Sequence, residues 1–157
     1  MPVTISGTGS ITGAGLNKKI EAFTASGTWT VPAGVTYAIA HMMGGGGSIG
    51  DSSTANAGGD SSVAFAGGTV TAKGGAPDDY SSTLTAPSVA GPDNTGRGAI
   101  GQAGAYPRRG GDSQWIVAGD AVTPAASITV TVGAGGTAGT NGAAGGSGYV
   151  FIEYYDG

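Results

Sequence analysis

Residues 35–50 read VTYAIAHMMGGGGSIG. An apolar run from Val35 to Met43 breaks into consecutive glycines, and a serine comes next. The first half has the character of a strand. The second half fits two catalytic signatures at once. Gly46, Ser48 and Gly50 match G-x-S-x-G, the elbow that exposes a nucleophilic serine between a strand and a helix. Gly45, Gly47 and Gly50 match G-x-G-x-x-G, the dinucleotide fingerprint. Both signatures require a helix directly afterwards, to present the serine or to bind pyrophosphate at its N-terminus. The residues after Ser48 are IGDSSTANAGGDSS, whose glycines oppose a helix. The single histidine, His41, lies before the serine on the preceding strand. Both matches therefore read as coincidences of a chain crowded with glycine.

That crowding is the dominant feature of the composition. Glycine supplies 34 of 157 residues, against a usual share of about 7%. Most of these glycines fall between Gly44 and Gly148, so a glycine-rich centre lies between two ordinary β segments. Disorder is disfavoured by those clean apolar runs and by a net charge of only −4. Collagen is excluded because glycine does not recur at every third position. The length suits one domain with one core. With a pI near 4.5 and scattered basic residues, no nucleic-acid footprint exists. No apolar stretch approaches the length of a membrane span. The start, MPVTISGTGSITG, lacks a basic region and an apolar core, so synthesis in the cytoplasm without a signal peptide is expected.

Strands are expected around Ile20–Phe23, Thr28–Val31 and Val35–Met43, then over 128–132, where ITVTV alternates, and over 149–155. In the last of these, Val150 and Ile152 share one face, and Tyr149, Phe151 and Glu153 the other. No window has helical spacing. The chain reads as all-β, a small β-sandwich-like domain over residues 20–157, preceded by an N-terminal arm or attachment segment over residues 1–19. Chemistry is thin. There is no Walker phosphate loop, no cysteine and no calcium-loop pattern, so neither a cofactor nor a metal is expected. A nucleophile, a base and an orienting group cannot be assembled, and the chain reads as no enzyme.

Glycine in bulk permits positive φ and close backbone approach. The central region can accordingly take two forms. One is flexible linker. The other is a set of polyproline-II strands, which carry no internal hydrogen bonds and can bond to one another side by side. The lattice is favoured, because a β-sheet must close across the glycine region to give the strands at 35–43 and 149–155 their partners.

Three stretches carry a resemblance. ASGTWTVPAGVTYAIAHMMGGGG (25–47) resembles the opening of the glycine-rich domains of tailed-phage fibre proteins. DAVTPAASITVTVGAGG (120–136) and GGSGYVFIEYY (145–155) are similar to that family's closing strands, and GGTVTAKGGA (67–76) to an inner unit. The resemblance implies a virion protein, a tail fibre or fibre-tip component that mediates host-surface attachment. The partners it implies are other virion tail or capsid proteins, and a host surface glycan or outer-membrane protein. The alternative is a virion structural protein with no receptor, such as a capsid decoration or a tail or baseplate connector. Phage fibres are commonly trimeric, so a homotrimer is expected.

Two departures from the family stand out. Its usual T-P-G-Q turn reads TPAA at 123–126, so that turn is expected to differ. The strand after the turn VPAGVT would also place Ala38, Ala40 and Met42 inward, and Tyr37, Ile39, His41 and Met43 outward. Either the register slips by one residue, or both faces are covered. The second is favoured, with Tyr37, Ile39, His41 and Met43 forming an oligomer interface and the alanine face packed on the glycine lattice. Recognition is expected in the irregular segment from Gly74 to Trp115. There Asp78, Asp79, Arg108 and Arg109 offer directional hydrogen bonds, and Tyr80 and Tyr106 offer flat faces. Solvated turns are the bland alternative for both PDDY and YPRR. Trp115 is expected to open the strand WIVAG as a buried side chain.

Overall fold

The computed structural model describes residues 4–5, 11–12, 17–51, 54–80, 90–103 and 106–156, with side chains from residue 17 onward except at 79–80, 101–103 and 106–107. Among the described residues there is no helix. The strands in chain order begin with β1 (Thr4–Ile5), β2 (Ile11–Thr12), β3 (Asn17–Phe23), β4 (Gly27–Thr30) and β5 (Tyr37–Met43). Next come β6 (Ile49–Asp51), β7 (Ser61–Phe65), β8 (Gly68–Ala72) and β9 (Asp78–Tyr80). The last are β10 (Ile100–Ala103), β11 (Tyr106–Arg109), β12 (Trp115–Ala121), β13 (Ser127–Thr131) and β14 (Tyr149–Asp156). β3 thus starts at Asn17, inside the stretch read as an arm.

Two four-stranded antiparallel sheets, ordered β12-β5-β14-β3 and β4-β13-β7-β8, face each other across one core. Alternation decides which side chains enter it. Ala38, Ala40 and Met42 of β5 point in, with Val150 and Ile152 of β14. They meet Trp29, Val63, Phe65, Ile128 and Val130 from the opposite sheet. The register of β5 has not slipped. The alanine face, however, packs on the hydrophobic core of the sandwich and not on the glycine segments. Its small size has a local reason. Tyr154 lies across the ladder from Ala38, and its ring stands 5.5 Å from that of Trp29. A short side chain at Ala38 leaves room for this large, fully buried indole.

The TPAA turn takes a geometry that glycine would suit. Ala126 N–H donates to Thr123 O at 3.0 Å, and Ala125 has a φ of 62°. Proline second and a left-handed residue third define a type II turn. The turn is fastened to the end of β4, the partner of β13, by Ala125 N–H on Val31 O and by Val31 N–H on Ala126 O, both 2.9 Å. These bonds hold a Cβ-bearing residue where its own sterics resist.

The strands of the sandwich continue directly into the glycine segments. β5 runs into Gly44–Ser48, which lies at their centre. Gly45 N–H donates to Gly59 O at 2.8 Å and Ser48 N–H to Asn56 O at 3.0 Å. Gly46 N–H donates to Gly146 O at 2.8 Å and Ile49 N–H to Ala143 O at 3.1 Å. Gly47 N–H donates to Gly111 O at 2.9 Å. The carbonyls obey the same rule. Gly45 O and Ser48 O accept from Gly75 and Asp78, Gly46 O and Ile49 O from Gly136 and Gly139, and Gly47 O from Ala99. The neighbours of Gly45 and Gly46 thus return three residues later, at Ser48 and Ile49. The backbone groups of a fully buried stretch are satisfied in this way without a sheet ladder.

Side chains cannot enter this arrangement. A Cβ on Gly46 would fall on the Arg97 carbonyl, and one on Gly45 on the Ala134 carbonyl. Gly46→Ala should therefore lower stability by about 3 kcal/mol or more, at or beyond the upper end of overpacking costs. Gly27→Ala, whose Cβ would meet only Phe23 at 3.8 Å, should change it by less than about 1 kcal/mol. Ala125→Gly should raise stability by ~0.5–1 kcal/mol, the relief of left-handed strain less the added chain entropy. Urea denaturation of the three variants checks all of this, and a loss on Ala125→Gly would refute the strain.

Candidate functional site

Distance from the sandwich can be read along the central segment. Gly45, next to β5, bonds Gly59, which lies just before β7. Ile49, farther out, bonds Ala143 and Gly139. Residues Asp51, Thr54, Asp78 and Thr140 therefore gather at the end away from the sandwich. There β6 and β9 form a parallel pair, with Ile49 opposite Asp78 and Asp51 opposite Tyr80. β10 and β11 form an antiparallel hairpin, with Ile100 opposite Arg109 and Ala103 opposite Tyr106.

The polar groups expected to recognise a ligand are brought together here, and they bind one another. Arg108 Nη2 donates to Asp78 Oδ1. Asp78 Oδ2 accepts the Arg109 N–H at 3.0 Å. The Arg109 guanidinium pairs with Asp112, whose other oxygen accepts the Gly98 N–H at 3.0 Å. One carboxylate, Asp78, thus fastens the β10–β11 hairpin to β9. Asp79, Tyr80 and Tyr106 have their backbones in these strands, and their side chains lie outside the described residues. Nearby, Asn141 donates to the buried Asp51 carboxylate at 2.8 Å. Thr54 Oγ1 donates to Asp51 O at 2.6 Å and accepts the Thr140 N–H at 2.8 Å.

Ser48, the serine of the G-x-S-x-G match, is fully buried. Its hydroxyl donates to Asn56 O at 3.2 Å and accepts the Asn56 N–H at 2.7 Å. Strand β6 comes after it where the elbow would need a helix.

A second cluster covers the outer face of the β12-β5-β14-β3 sheet, where the outward row expected on β5 meets side chains of β12 and β14. Tyr37, Ile39, His41 and Met43 point outward from β5. Trp115 and Val117 stand beside Met43 and His41 on β12, and Tyr149 and Phe151 beside them on β14. Trp115 opens β12 as expected but is 61% exposed and not buried. A cavity of about 190 Å³ opens on this face, lined by Ile20, His41, Trp115, Tyr149, Phe151 and Glu153. Glu153 accepts from Lys18 Nζ at 2.9 Å, lies 3.5 Å from His41 Nε2, and accepts from Tyr155 OH at 3.4 Å. The Lys18 hydrogen bond, ahead of the opposing effect of burial, holds the Glu153 carboxyl below its ordinary range and raises Lys18 in turn. Glu153 is consequently an anion, and a hydrogen-bond acceptor only, at neutral pH. The alternation of YVFIEYY places Tyr149, Phe151 and Glu153 together. What it lacks is the neighbour of β5 on the other side.

Comparison with models of known protein families and with curated protein sequences gives no match. Within the described residues, no group of acidic or histidine side chains is arranged to hold a metal ion.

The Asp78–Arg108 pair is less than a quarter exposed on either side, 22% and 24%, so solvent screens it little. A double-mutant cycle of Asp78→Ala and Arg108→Ala should show a coupling of ~1–3 kcal/mol in unfolding free energy. Additivity of the two single changes would mean that the pair does not fasten the hairpin.

Proposed function

We propose that this chain is a virion protein of a tailed phage, a tail-fibre or fibre-tip component that attaches to the host surface through the loops beyond the glycine segments. The observation that carries the reading is the backbone network around Gly44–Ser48, in which the neighbours of Gly45 and Gly46 return three residues later. Three residues per turn is the period of a polyproline-II helix, which leaves its own N–H and C=O groups pointing outward for neighbours to use. On this reading the glycine segments are a bundle of such helices, rooted in the sandwich and closed by loops at the far end. Rigid scaffolds that end in loops are the usual carriers of recognition. The motif order in the sequence, GTWTVPAGVT, then ITVTVGAGG, then GSGYVFIEYY, supports the phage assignment.

A second reading has its own support. Asp78, Arg108, Arg109 and Asp112 are occupied with each other, which suits a structural virion part whose loops hold shape and bind no receptor. The two readings separate at the tyrosines, since replacing Arg108 would also loosen the hairpin. Fluorescently labelled protein should bind saturably to bacteria that the phage infects. Tyr80→Ala combined with Tyr106→Ala should abolish that binding while the melting temperature stays within a few degrees of the parent. Binding left unchanged by the double variant would remove the loops from recognition. Absence of binding, with incorporation into particles intact, would favour the structural part.

A further inference from the structure

The cavity on the outer sheet face lies apart from the loops at the far end of the glycine segments, and it has the chemistry of a binding site. Exposure separates its rim from its floor. Ile20 is 62% exposed, Trp115 61% and Phe151 38%, whereas the side chains of His41 and Glu153 are 32% and 14% exposed. The rim is therefore apolar and the floor polar. Strand geometry explains the opening. Trp115 and the Tyr149–Phe151 pair stand on β12 and β14, separated by β5. Strands two apart are about 9.5 Å from one another, and side chains stand nearly upright from a sheet. Phe151 and Tyr149 pair along their own strand, with ring centroids 4.8 Å apart. The space above His41 and Glu153 is left unfilled.

The residues present narrow the occupant. A cation would meet Lys18, which already sits on the Glu153 carboxylate at 2.9 Å. An anion would face that carboxylate. A wholly apolar group would strip water from Glu153 and His41 and give no hydrogen bond in return. What remains is a neutral molecule with one apolar face and several hydroxyls. The volume, about 190 Å³, falls below the ~300–1,000 Å³ of sites for drug-sized ligands, so it admits one ring and not an extended chain.

We propose that this cavity binds a single neutral pyranose ring of a glycan. Its C–H face lies on the Trp115 indole, and its hydroxyls donate to Glu153 and exchange hydrogen bonds with His41. Trp115 supplies a flat, rigid surface that loses little entropy on binding. Lys18 keeps Glu153 ionised and oriented. The site depends on the sandwich alone and stands whether or not the far loops recognise a host.

The full chain offers a direct readout, because its other tryptophan, Trp29, is fully buried in the core. Two-dimensional NMR of the indole N–H signals, during titration with methyl glycosides of glucose, galactose, mannose and N-acetylglucosamine, reports on the two tryptophans separately. At least one sugar should move the Trp115 signal saturably and leave that of Trp29 in place. Affinity for that sugar should fall about ten-fold or more in Glu153→Gln. Since Trp115→Ala removes the probe, its loss of binding is read by calorimetry, and circular dichroism verifies its fold. Tyr80→Ala with Tyr106→Ala should leave the titration unchanged. No movement of the Trp115 signal with any of the four sugars would overturn the proposal. So would an equal response to choline, which would make the site a cation cage, or self-association that buries Trp115 between copies.

Discussion

Backbone meets backbone around Gly44–Gly47 at separations that admit no Cβ, and the rest of the molecule is arranged to make that contact possible. A methyl group at Gly45, Gly46 or Gly47 would fall on the carbonyl of Ala134, Arg97 or Ala76. Glycine gives up more conformational freedom on ordering than any other residue, and here it brings no side chain to bury in compensation. Hydrogen bonds among the segments must offset that loss, and they form only if every segment enters at the right height. The sandwich sets those heights. β5, β7, β8, β12, β13 and β14 each lead into or out of a glycine segment, so the ladder registers of the two sheets are inherited by the network beyond them. Ser61 marks the junction. Its buried hydroxyl donates to Met43 O at 2.6 Å and accepts the Gly133 N–H at 2.9 Å, tying three chain segments where sheet gives way to glycine.

The sandwich itself is a small hydrophobic core that works by contrast in size. Trp29 and Met42 fill what Ala38 and Ala40 leave open. The opposite face of the same sheet has no covering layer among the described residues, and there large residues stand over polar ones. Inward and outward sets of β5 thus serve different ends. One closes the fold, and the other, Tyr37, Ile39, His41 and Met43, shares the outer face with Trp115 of β12 and Phe151 of β14.

Much of this is legible in the residues, for identifiable reasons. Alternation in ITVTV and YVFIEYY has the period of a strand, and both are strands. The small inward set of β5 is evident from the parity of Ala38, Ala40 and Met42, although what covers it is not. The hairpin of β7 and β8 escapes notice as a pair of strands, because SSVAF and GTVTA are short and flanked by glycine. The other partner of β7, β13, lies more than sixty residues later. TPAA has no glycine to suggest a left-handed residue, yet Ala125 takes that conformation. The bonds from Ala125 and Ala126 to Val31 and Thr123 outweigh the strain of one alanine. At the far loops, sequence places Asp78, Arg108 and Arg109 among groups free to bind. Composition identifies donors and acceptors but not which of them have already found each other.

The glycine network also gives the chain an unusual thermal character. The heat-capacity change on unfolding comes mainly from apolar surface exposed to water, and exposed polar backbone works against it. Segments that bury amide groups and almost no hydrocarbon contribute little or nothing to it, so the whole chain should fall below the ~12–15 cal/mol/K per residue of ordinary globular domains. A smaller heat-capacity change flattens the curve of stability against temperature. What folding without side chains forgoes in peak stability, it recovers in breadth.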